Sequence, residues 1–335
     1  MQQPPATLVD NYGRLINYAR ISITDRCDFR CVYCMSETMT FAPRKDLLSL
    51  EEIALLGRAL SELGVQKLRI TGGEPLVRKN VLWLFQQLSA LEGIRDLTLT
   101  TNGSQLGKLS SELVRAGVTR INVSLDSLRA DRFKRITRTG DLQQVLEGLE
   151  AARSAGFKRI KLNTVVMQGQ NDDEVLDIVE FAMDKGLDVS FIEEMPLGEM
   201  ANHDRSLSYC SSDQVRQIIE QRHRLLATTE STGGPSRYYR IAGSDNENRI
   251  GFISPHSHNF CESCNRVRIT AQGRLLLCLG QEHSVDLKQV IRDSGNDLQA
   301  VKQAIIAAIA IKPKGHDFNV HEQPIIMRHM SVTGG

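Results

Sequence analysis

The sequence lacks long apolar runs and shows no marked excess of charge of either sign. No apolar stretch approaches the roughly 20 residues that a transmembrane helix needs. The first residues, MQQPPATLVDNYGR, lack both the basic start and the apolar stretch of a secretory signal. With 41 Lys and Arg against 40 Asp and Glu, the overall charge favours neither nucleic acid nor an anionic membrane as a partner. We therefore expect a cytoplasmic protein whose anion sites arise from local clusters of Arg and Lys.

Cysteine is scarce as well, and seven residues, an odd number, make a poor set of disulfides. Disulfides are rare in a reducing cytoplasm, where closely grouped cysteines are typical of metal ligands. Cys210 stands alone, whereas the other six form one tight group near each end of the chain. The groups are Cys27, Cys31 and Cys34, and Cys261, Cys264 and Cys278.

From about residue 18 to residue 195, short β-rich runs alternate with longer amphipathic runs. Repeated strand–helix units predict a parallel sheet with right-handed crossovers. Six units are too few for an eight-stranded barrel, so a partial barrel and a doubly wound sheet both fit this pattern. The predicted strands are Tyr18–Thr24, Lys67–Thr71, Asp96–Thr101, Arg120–Asp126, Arg159–Val166 and Asp188–Glu193. The predicted helices include Ser49–Leu63, Asn80–Ser89, Gln105–Ala116, Leu142–Ala155 and Asp173–Lys185.

Alternation along five of these strands separates one polar face from one apolar face. With the apolar face beneath the helices, the polar face would line an open lumen that holds a polar ligand, because a closed barrel is filled with apolar side chains. A sheet with one solvated face is the alternative, which the intervening helices disfavour. The sequence thus predicts an α/β protein with an incomplete TIM-type βα barrel. The polar set is Arg20, Ser22, Thr24, Lys67, Arg69, Thr71, Thr98, Thr100, Asn102, Asn122, Ser124, Asp126, Lys161 and Asn163.

The pattern changes after residue 196. Residues 197–236 are of mixed character and contain a break at Gly233–Gly234–Pro235. We therefore expect a barrel core over residues 11–235 and a C-terminal extension over residues 236–335 that carries the second cysteine group. Short strands are predicted at Tyr238–Ile241, Arg249–Ile253, Arg266–Thr270 and Leu275–Leu277, and helices near Ser284–Arg292 and Leu298–Ile309.

The first cysteine group has the spacing Cys-x₃-Cys-x₂-Cys, with Tyr33 directly before the last cysteine. Three thiolates in this spacing can hold three irons of one [4Fe–4S] cube and leave the fourth iron open. A structural zinc site needs four ligands, and no fourth cysteine or histidine lies nearby in the sequence. The motif resembles that of the radical S-adenosylmethionine (SAM) superfamily, in which the open iron binds SAM and its cleavage yields a 5′-deoxyadenosyl radical.

Further residues carry this resemblance. Thr71-Gly72-Gly73-Glu74-Pro75 follows a predicted strand, as the superfamily's glycine–glycine–glutamate motif does. Glycines lack Cβ atoms and let a ligand approach the backbone, although on their own they would predict only a turn. The resemblance implies that Tyr33, Gly73, Ser124 and Met195 contact SAM.

The second cysteine group has the spacing Cys-x₂-Cys-x₁₃-Cys and leaves two kinds of metal centre open. A nearby histidine could complete a Cys₃His zinc site, and both zinc and iron–sulfur clusters accept thiolates. The N-terminal motif favours a second [4Fe–4S] cluster. Arg266 and Arg268 follow on one face of a predicted strand, where they can clamp phosphates or a planar base. The nearby histidines are His256, His258 and His283.

From about residue 10 to its last residue, the chain also resembles the radical SAM family of the first step of molybdenum cofactor biosynthesis. Asp28 and Ser36 stand where that family has Asn and Pro, and neither change removes a ligand. The resemblance implies a lyase that cyclises GTP by abstracting hydrogen from C3′ of the ribose. The carbon radical would attack C8 of guanine, and reduction would give 3′,8-cyclo-7,8-dihydro-GTP. The segments that carry the resemblance are DRCDFRCVYCM, TGGEPLVR, TTNG, INVSLDSL, IKLNTV, CESCNRVRITAQGRLLLCL and a terminal Gly-Gly.

The same resemblance implies partners and site residues. GTP would lie between the two clusters, with its guanine at the open iron of the second. A one-electron donor such as a flavodoxin or ferredoxin system and, downstream, cyclic pyranopterin monophosphate synthase would be partners, and a homodimer is left open. The implied GTP contacts are Arg20, Arg69, Thr100, Lys161, Arg266, Val267 and Arg268, and the implied catalytic residues are Arg266, Arg268, Gly334 and Gly335.

Two other functions compete with this interpretation. A peptide-modifying radical SAM enzyme with an auxiliary cluster usually has more C-terminal cysteines than the three in this chain. An iron–sulfur electron carrier, or a zinc-binding adaptor, would not need the open iron that ligation by three cysteines leaves.

Overall fold

The computed structural model describes residues 7–198, 203–244, 247–316, 318 and 326–334. In these residues twelve strands form one sheet, flanked by α-helices. The strands are β1 (Tyr18–Ser22), β2 (Lys67–Thr71), β3 (Asp96–Thr101), β4 (Arg120–Ser124), β5 (Arg159–Val166), β6 (Asp188–Glu193), β7 (Leu225–Ala227), β8 (Arg237–Ile241), β9 (Ile250–Ile253), β10 (Arg266–Ile269), β11 (Arg274–Leu276) and β12 (Ser284–Asp286). The helices are α1 (Leu50–Glu62), α2 (Val81–Ser89), α3 (Leu106–Arg115), α4 (Ala130–Thr137), α5 (Leu142–Ala155), α6 (Val175–Lys185), α7 (Arg205–Ser208), α8 (Ser212–Glu220), α9 (Leu287–Asp293), α10 (Leu298–Ala310) and α11 (Met330–Thr333).

The strand order identifies the architecture. Strands β1 to β6 lie side by side in chain order and run parallel. Because parallel crossovers are right-handed, an order without reversal places the connecting helices on one face, whereas a doubly wound sheet reverses its strand order. The prediction of an incomplete βα barrel is therefore confirmed, and the doubly wound alternative is wrong.

Strands from the C-terminal part complete the parallel run at both of its edges. Strand β10 pairs with β1 and β9 pairs with β6, both in parallel, and within the described ranges β9 and β10 do not pair with each other. Antiparallel strands then extend the sheet outwards from β9 and β10. Core and extension thus share one sheet, and a division at residue 235 stays a prediction.

The predicted elements of the core coincide with β1 to β6, α1 to α3, α5 and α6 to within two residues at either end. The helix predicted near Ser284–Arg292 instead begins at Leu287. Its first residues form β12, which pairs with β11, and the Asp286 carboxylate then caps the helix by accepting from the Gln289 backbone N–H at 2.9 Å. Sequence analysis did not predict α4, α7, α8, α11 or β7.

Local chemistry explains where the helices begin and end. Ser49 and Glu52 form a capping box at the start of α1, in which each side chain accepts from the other residue's backbone N–H. Helices α5 and α6 end at Gly156 and Gly186, whose φ angles of +90° and +68° suit glycine. None of the helices in the described ranges is long and apolar enough to cross a membrane.

The alternation of side chains along the strands separates the core from the lumen. The apolar residues of β1 to β6, such as Ile21, Leu68 and Leu99, are fully buried against the helices. The polar residues of neighbouring strands are in register, so that Arg20 lies between Arg268 on β10 and Arg69 on β2. This row of cations lines the inside of the barrel.

We predict that Leu99→Ala on the helix-facing side of β3 lowers the free energy of unfolding by about 2–5 kcal/mol, because it leaves a cavity in the closed core. Leu226→Ala is the matched control, because Leu226 lies on the outer strand β7 and is 46% exposed. Leu226→Ala should change the free energy of unfolding by no more than about 0.5 kcal/mol. Urea unfolding followed by circular dichroism measures both, and equal losses would contradict the assignment of faces.

Candidate functional site

The first cysteine group opens into a cavity at the carboxyl ends of the parallel strands. All three of its cysteines line this cavity, together with each of the four residues predicted to contact SAM. Two of these four, Tyr33 and Gly73, come from loops, and Ser124 and Met195 come from the ends of strands or just beyond them. The structure therefore brings together side chains that are up to 168 positions apart.

The loop that carries these cysteines is fixed by its neighbours. The backbone N–H groups of Arg30 and Val32 donate to carbonyls at the end of α4, both at 2.9 Å. The Tyr33 hydroxyl donates to the Asp126 carboxylate at 2.7 Å. A Cβ atom at Gly73 would lie 2.4 Å from the carbonyl oxygen of Arg26. Gly73 therefore allows two backbone segments to pack closely together. The sequence analysis had instead expected this glycine to let a ligand approach the backbone.

Burial raises the pKa of all three thiols in this group, to about 12 for Cys34. Carboxylates act in the same direction, since Glu74 raises the pKa of Cys27 and Asp126 raises that of Cys31. These thiols thus stay protonated at neutral pH unless a metal displaces their protons.

The second cysteine group opens into a neighbouring cavity. Its three cysteines line this cavity with six of the seven residues predicted to contact GTP, all except Thr100. Thr100 lines the first cavity, and its hydroxyl accepts from Arg69 Nη1 at 3.2 Å. Because Asn163, Ile192, Met195 and Met330 line both cavities, the two adjoin.

The donor set can be tested against a single metal ion. Among the residues that the structure describes, no three His, Cys, Asp or Glu side chains converge on a point that could hold one ion. A zinc site needs such convergence. In an iron–sulfur cube each thiolate binds its own iron, so the thiolates lie apart. A cluster at the second cysteine group stays a prediction.

Buried cations dominate the second cavity. In the described part of the chain, Arg69, Lys161, Arg266 and Arg268 have no carboxylate within 4.0 Å. The phenol of Tyr18 accepts from Arg69 Nε at 2.8 Å. Burial alone would raise the pKa of Tyr18, but Arg69, Arg20 and Lys67 together lower it to about 6. Such a surplus of buried positive charge calls for an anionic ligand.

Comparison with known proteins places this geometry in a family. The pattern of the radical SAM superfamily matches residues 21–182, and that of Molybdenum Cofactor Synthesis C matches residues 187–318. A GTP 3′,8-cyclase from Saccharophagus degradans is 58% identical over 330 residues, which cover 98% of this chain and 99% of that protein. One from Marinobacter nauticus is 56% identical over 332 residues, covering 99% and 100%. This chain belongs to the GTP 3′,8-cyclase family.

The structural comparison agrees at the level of the fold. The crystal structure of Streptococcus suis SuiB bound to S-adenosylmethionine has a TM-score of 0.61 and covers 96% of this chain and 78% of that one. At 15% identity this likeness supports the fold alone. Membership of the radical SAM superfamily implies a [4Fe–4S] cluster and SAM as cofactors.

The C-terminal tail of this GTP 3′,8-cyclase family member reaches the lumen. The carbonyl of Gly334 accepts from Arg268 Nη1 at 2.7 Å and from Arg20 Nη2 at 3.4 Å. Gly334 has a φ of +79°, and a Cβ there would lie 2.0 Å from the Thr71 hydroxyl oxygen. Only glycine fits this position. Gly335, the other predicted tail residue, lies outside the described residues.

Sequence analysis missed several residues of the site. Asp126 and Asn163 line the first cavity, and burial raises the pKa of Asp126 to about 6. Both had been assigned to the polar faces, so the alternating pattern was a signal for them. Asp28, which replaces the family's Asn, accepts from the Asn102 amide and the Ser104 hydroxyl, both at 2.6 Å.

We predict that Gly334→Ala displaces the tail, because the new methyl group collides with Thr71 and the left-handed φ disfavours alanine. Hydrogen–deuterium exchange in the peptide that spans Met330–Thr333 should become faster. Gly107→Ala is the control, since a Cβ there meets no atom within 4 Å. Unchanged exchange in Gly334→Ala would show that the tail is not held by this fit.

Proposed function

We propose that this chain is a radical SAM lyase that converts GTP to 3′,8-cyclo-7,8-dihydro-GTP in molybdenum cofactor biosynthesis. The observation that carries the proposal is the buried cationic cavity between two groups of three cysteines. The names of the relatives, which are GTP 3′,8-cyclases over nearly their full lengths, support the same substrate. We also propose that the protein is cytoplasmic.

The charge of the cavity favours a polyphosphate as the ligand. Leaving one partner of a buried ion pair without the other costs about 3–5 kcal/mol. Within the part of the chain that the structure describes, several cations of this cavity have no carboxylate within 4.0 Å. Guanidinium groups bind phosphate oxygens in a bidentate manner. Arg20, Arg69, Lys161, Arg266 and Arg268 would therefore hold the triphosphate and purine, with Thr100 supporting the guanidinium of Arg69.

The first cavity suits the cofactors of the superfamily. Cys27, Cys31 and Cys34 would ligate three irons, and Tyr33, Gly73, Ser124 and Met195 would hold SAM beside the fourth. When bound, this cofactor pair supplies a carbon-centred radical that takes hydrogen from C3′ of the ribose. The residues shared by the two cavities, among them Asn163 and Met195, would orient the ribose towards it and exclude water.

The second cysteine group would hold another [4Fe–4S] cluster. Burial raises the pKa of Cys278, yet that of Cys264 is lowered, because Arg266 and Lys312 outweigh its burial. A lowered pKa favours the thiolate form that binds iron. Partners would be a one-electron donor such as a flavodoxin or ferredoxin system and, downstream, cyclic pyranopterin monophosphate synthase, and the homodimer stays an open hypothesis.

Arg268→Ala should reduce cyclic product formed from GTP by at least about 100-fold while iron content is retained, because it removes a buried phosphate contact and the anchor of Gly334. Arg274→Ala on the adjacent strand is the control, since that side chain is exposed. Chromatography of anaerobic reactions, with iron analysis of the same samples, measures both. Iron that falls in step with product would make Arg268 structural instead.

Replacing Cys261, Cys264 and Cys278 together by alanine should lower the iron content of reconstituted protein by about half, since each group would hold one four-iron cube. The unaltered protein should contain iron and acid-labile sulfide at both sites and no stoichiometric zinc. Metal analysis of anaerobically purified samples decides this. Zinc that disappears with these three cysteines would contradict a second cluster.

A further inference from the structure

Lys312 is a buried cation beside the second cysteine group, and the only role assigned to it so far is to help lower the pKa of Cys264. It follows α10 and is only 3% exposed. Its ammonium donates to the backbone carbonyl of Leu277, the residue directly before Cys278. The charge of Lys312 therefore lies beside the third cysteine of the group.

This ammonium has no carboxylate partner among the residues that the structure describes. Asp10, a carboxylate that interacts electrostatically with Lys312, is already paired with Arg14 at 2.6 Å. Arg14 in turn donates to the carbonyls of Cys261 at 2.8 Å and of Pro313 and Lys314 at 2.6 Å. Among the described residues, one carboxylate, that of Asp10, thus serves two buried cations, and one of the three donors of the Lys312 ammonium has an acceptor.

A buried, unpaired ammonium is costly unless an anion is bound nearby. Lys312 contacts the segment of the second cysteine group through the Leu277 carbonyl, and Cys264 and Cys278 are the thiols that interact electrostatically with its ammonium. Thiolates that ligate a cluster are anionic, and one-electron reduction adds a further negative charge. A fixed cation at this place would therefore stabilise the reduced form more than the oxidised form.

We propose that Lys312 is the internal counter-charge of the second cluster and raises its reduction potential. This inference rests on the second cluster of the proposed function. The surroundings of the first group are opposite in sign, since Glu74, Asp28 and Asp126 lie near its cysteines. Lys312 therefore separates the potentials of the two clusters, holding that of the second above the value set by its ligands alone.

The alternative is that Lys312 acts only as a hydrogen-bond donor that fastens the Leu277 carbonyl. Three variants distinguish charge from hydrogen bonding. Lys312→Met removes both, Lys312→Gln keeps a neutral donor, and Lys312→Arg keeps the charge. Lys314→Met is the matched control, because Lys314 is exposed and contributes only its backbone carbonyl to the local contacts.

The experiment uses the full chain with Cys27, Cys31 and Cys34 replaced by alanine, so that only the second cluster forms. Each variant is reconstituted with iron and sulfide, and its cluster is titrated with reductant while electron paramagnetic resonance reports the reduced fraction. We expect the ratio of reduced to oxidised cluster, at the midpoint of the parent chain, to fall at least tenfold in Lys312→Met and Lys312→Gln. For a one-electron couple, a tenfold fall corresponds to a midpoint potential that is lower by about 59 mV.

Lys312→Arg and Lys314→Met should keep the ratio of reduced to oxidised cluster within about threefold of the parent chain. That limit corresponds to a shift of roughly 30 mV in the midpoint potential. An unchanged ratio in Lys312→Gln, with cluster present, would overturn the proposal and leave a hydrogen-bonding role. If Lys312→Met binds no cluster, the ratios measured for Lys312→Gln and Lys312→Arg still distinguish a role of the charge from a role of the hydrogen bond. Failure of the parent chain itself to bind iron would instead refute the second cluster, and with it both proposals.

Discussion

The surplus of buried positive charge inside the barrel is the constraint on which the rest of the structure depends. Arg69 on β2, Lys161 on β5, and Arg266 and Arg268 on β10 line the lumen, and among the described residues none of them has a carboxylate within 4.0 Å. Such a lumen is stable only if the barrel stays wide enough for hydrogen bonds and a ligand to satisfy its cations. The incomplete closure between β9 and β10 gives it that width.

The two cysteine groups differ in the charges around them, and this difference follows from the topology. The first group lies at the carboxyl ends of the strands, beside Glu74 and Asp126, where burial and carboxylates both raise thiol pKa values. In the second group, Cys261 and Cys264 lie in the loop between β9 and β10 and Cys278 follows β11, and Arg266 and Lys312 lower the pKa of Cys264. Adjoining cavities therefore hold cysteine groups of opposite electrostatic surroundings.

Much of the core and the site could be predicted from local patterns. Period-two alternation assigned Arg20, Arg69 and Lys161 to the lumen, because a buried strand must direct its polar residues to one side. Pairing between distant segments carries no local signal, and the positions of β9 and β10 on either side of the run β1 to β6 were therefore not predicted. Gly73 packs against the Arg26 carbonyl, and Lys312 donates to the carbonyl of Leu277, which is distant in the sequence. Neither contact could be read from the local sequence.

The most direct test of the central claim uses GTP that is deuterated at C3′. Anaerobically reconstituted protein is incubated with this substrate, SAM and a strong reductant. The mass of the 5′-deoxyadenosine that forms is then measured by mass spectrometry. Deuterium in that product is the predicted result, since it requires radical cleavage, GTP as substrate and C3′ as the site of abstraction. Unlabelled 5′-deoxyadenosine would contradict GTP cyclisation, and its absence despite a full complement of iron would contradict radical chemistry altogether.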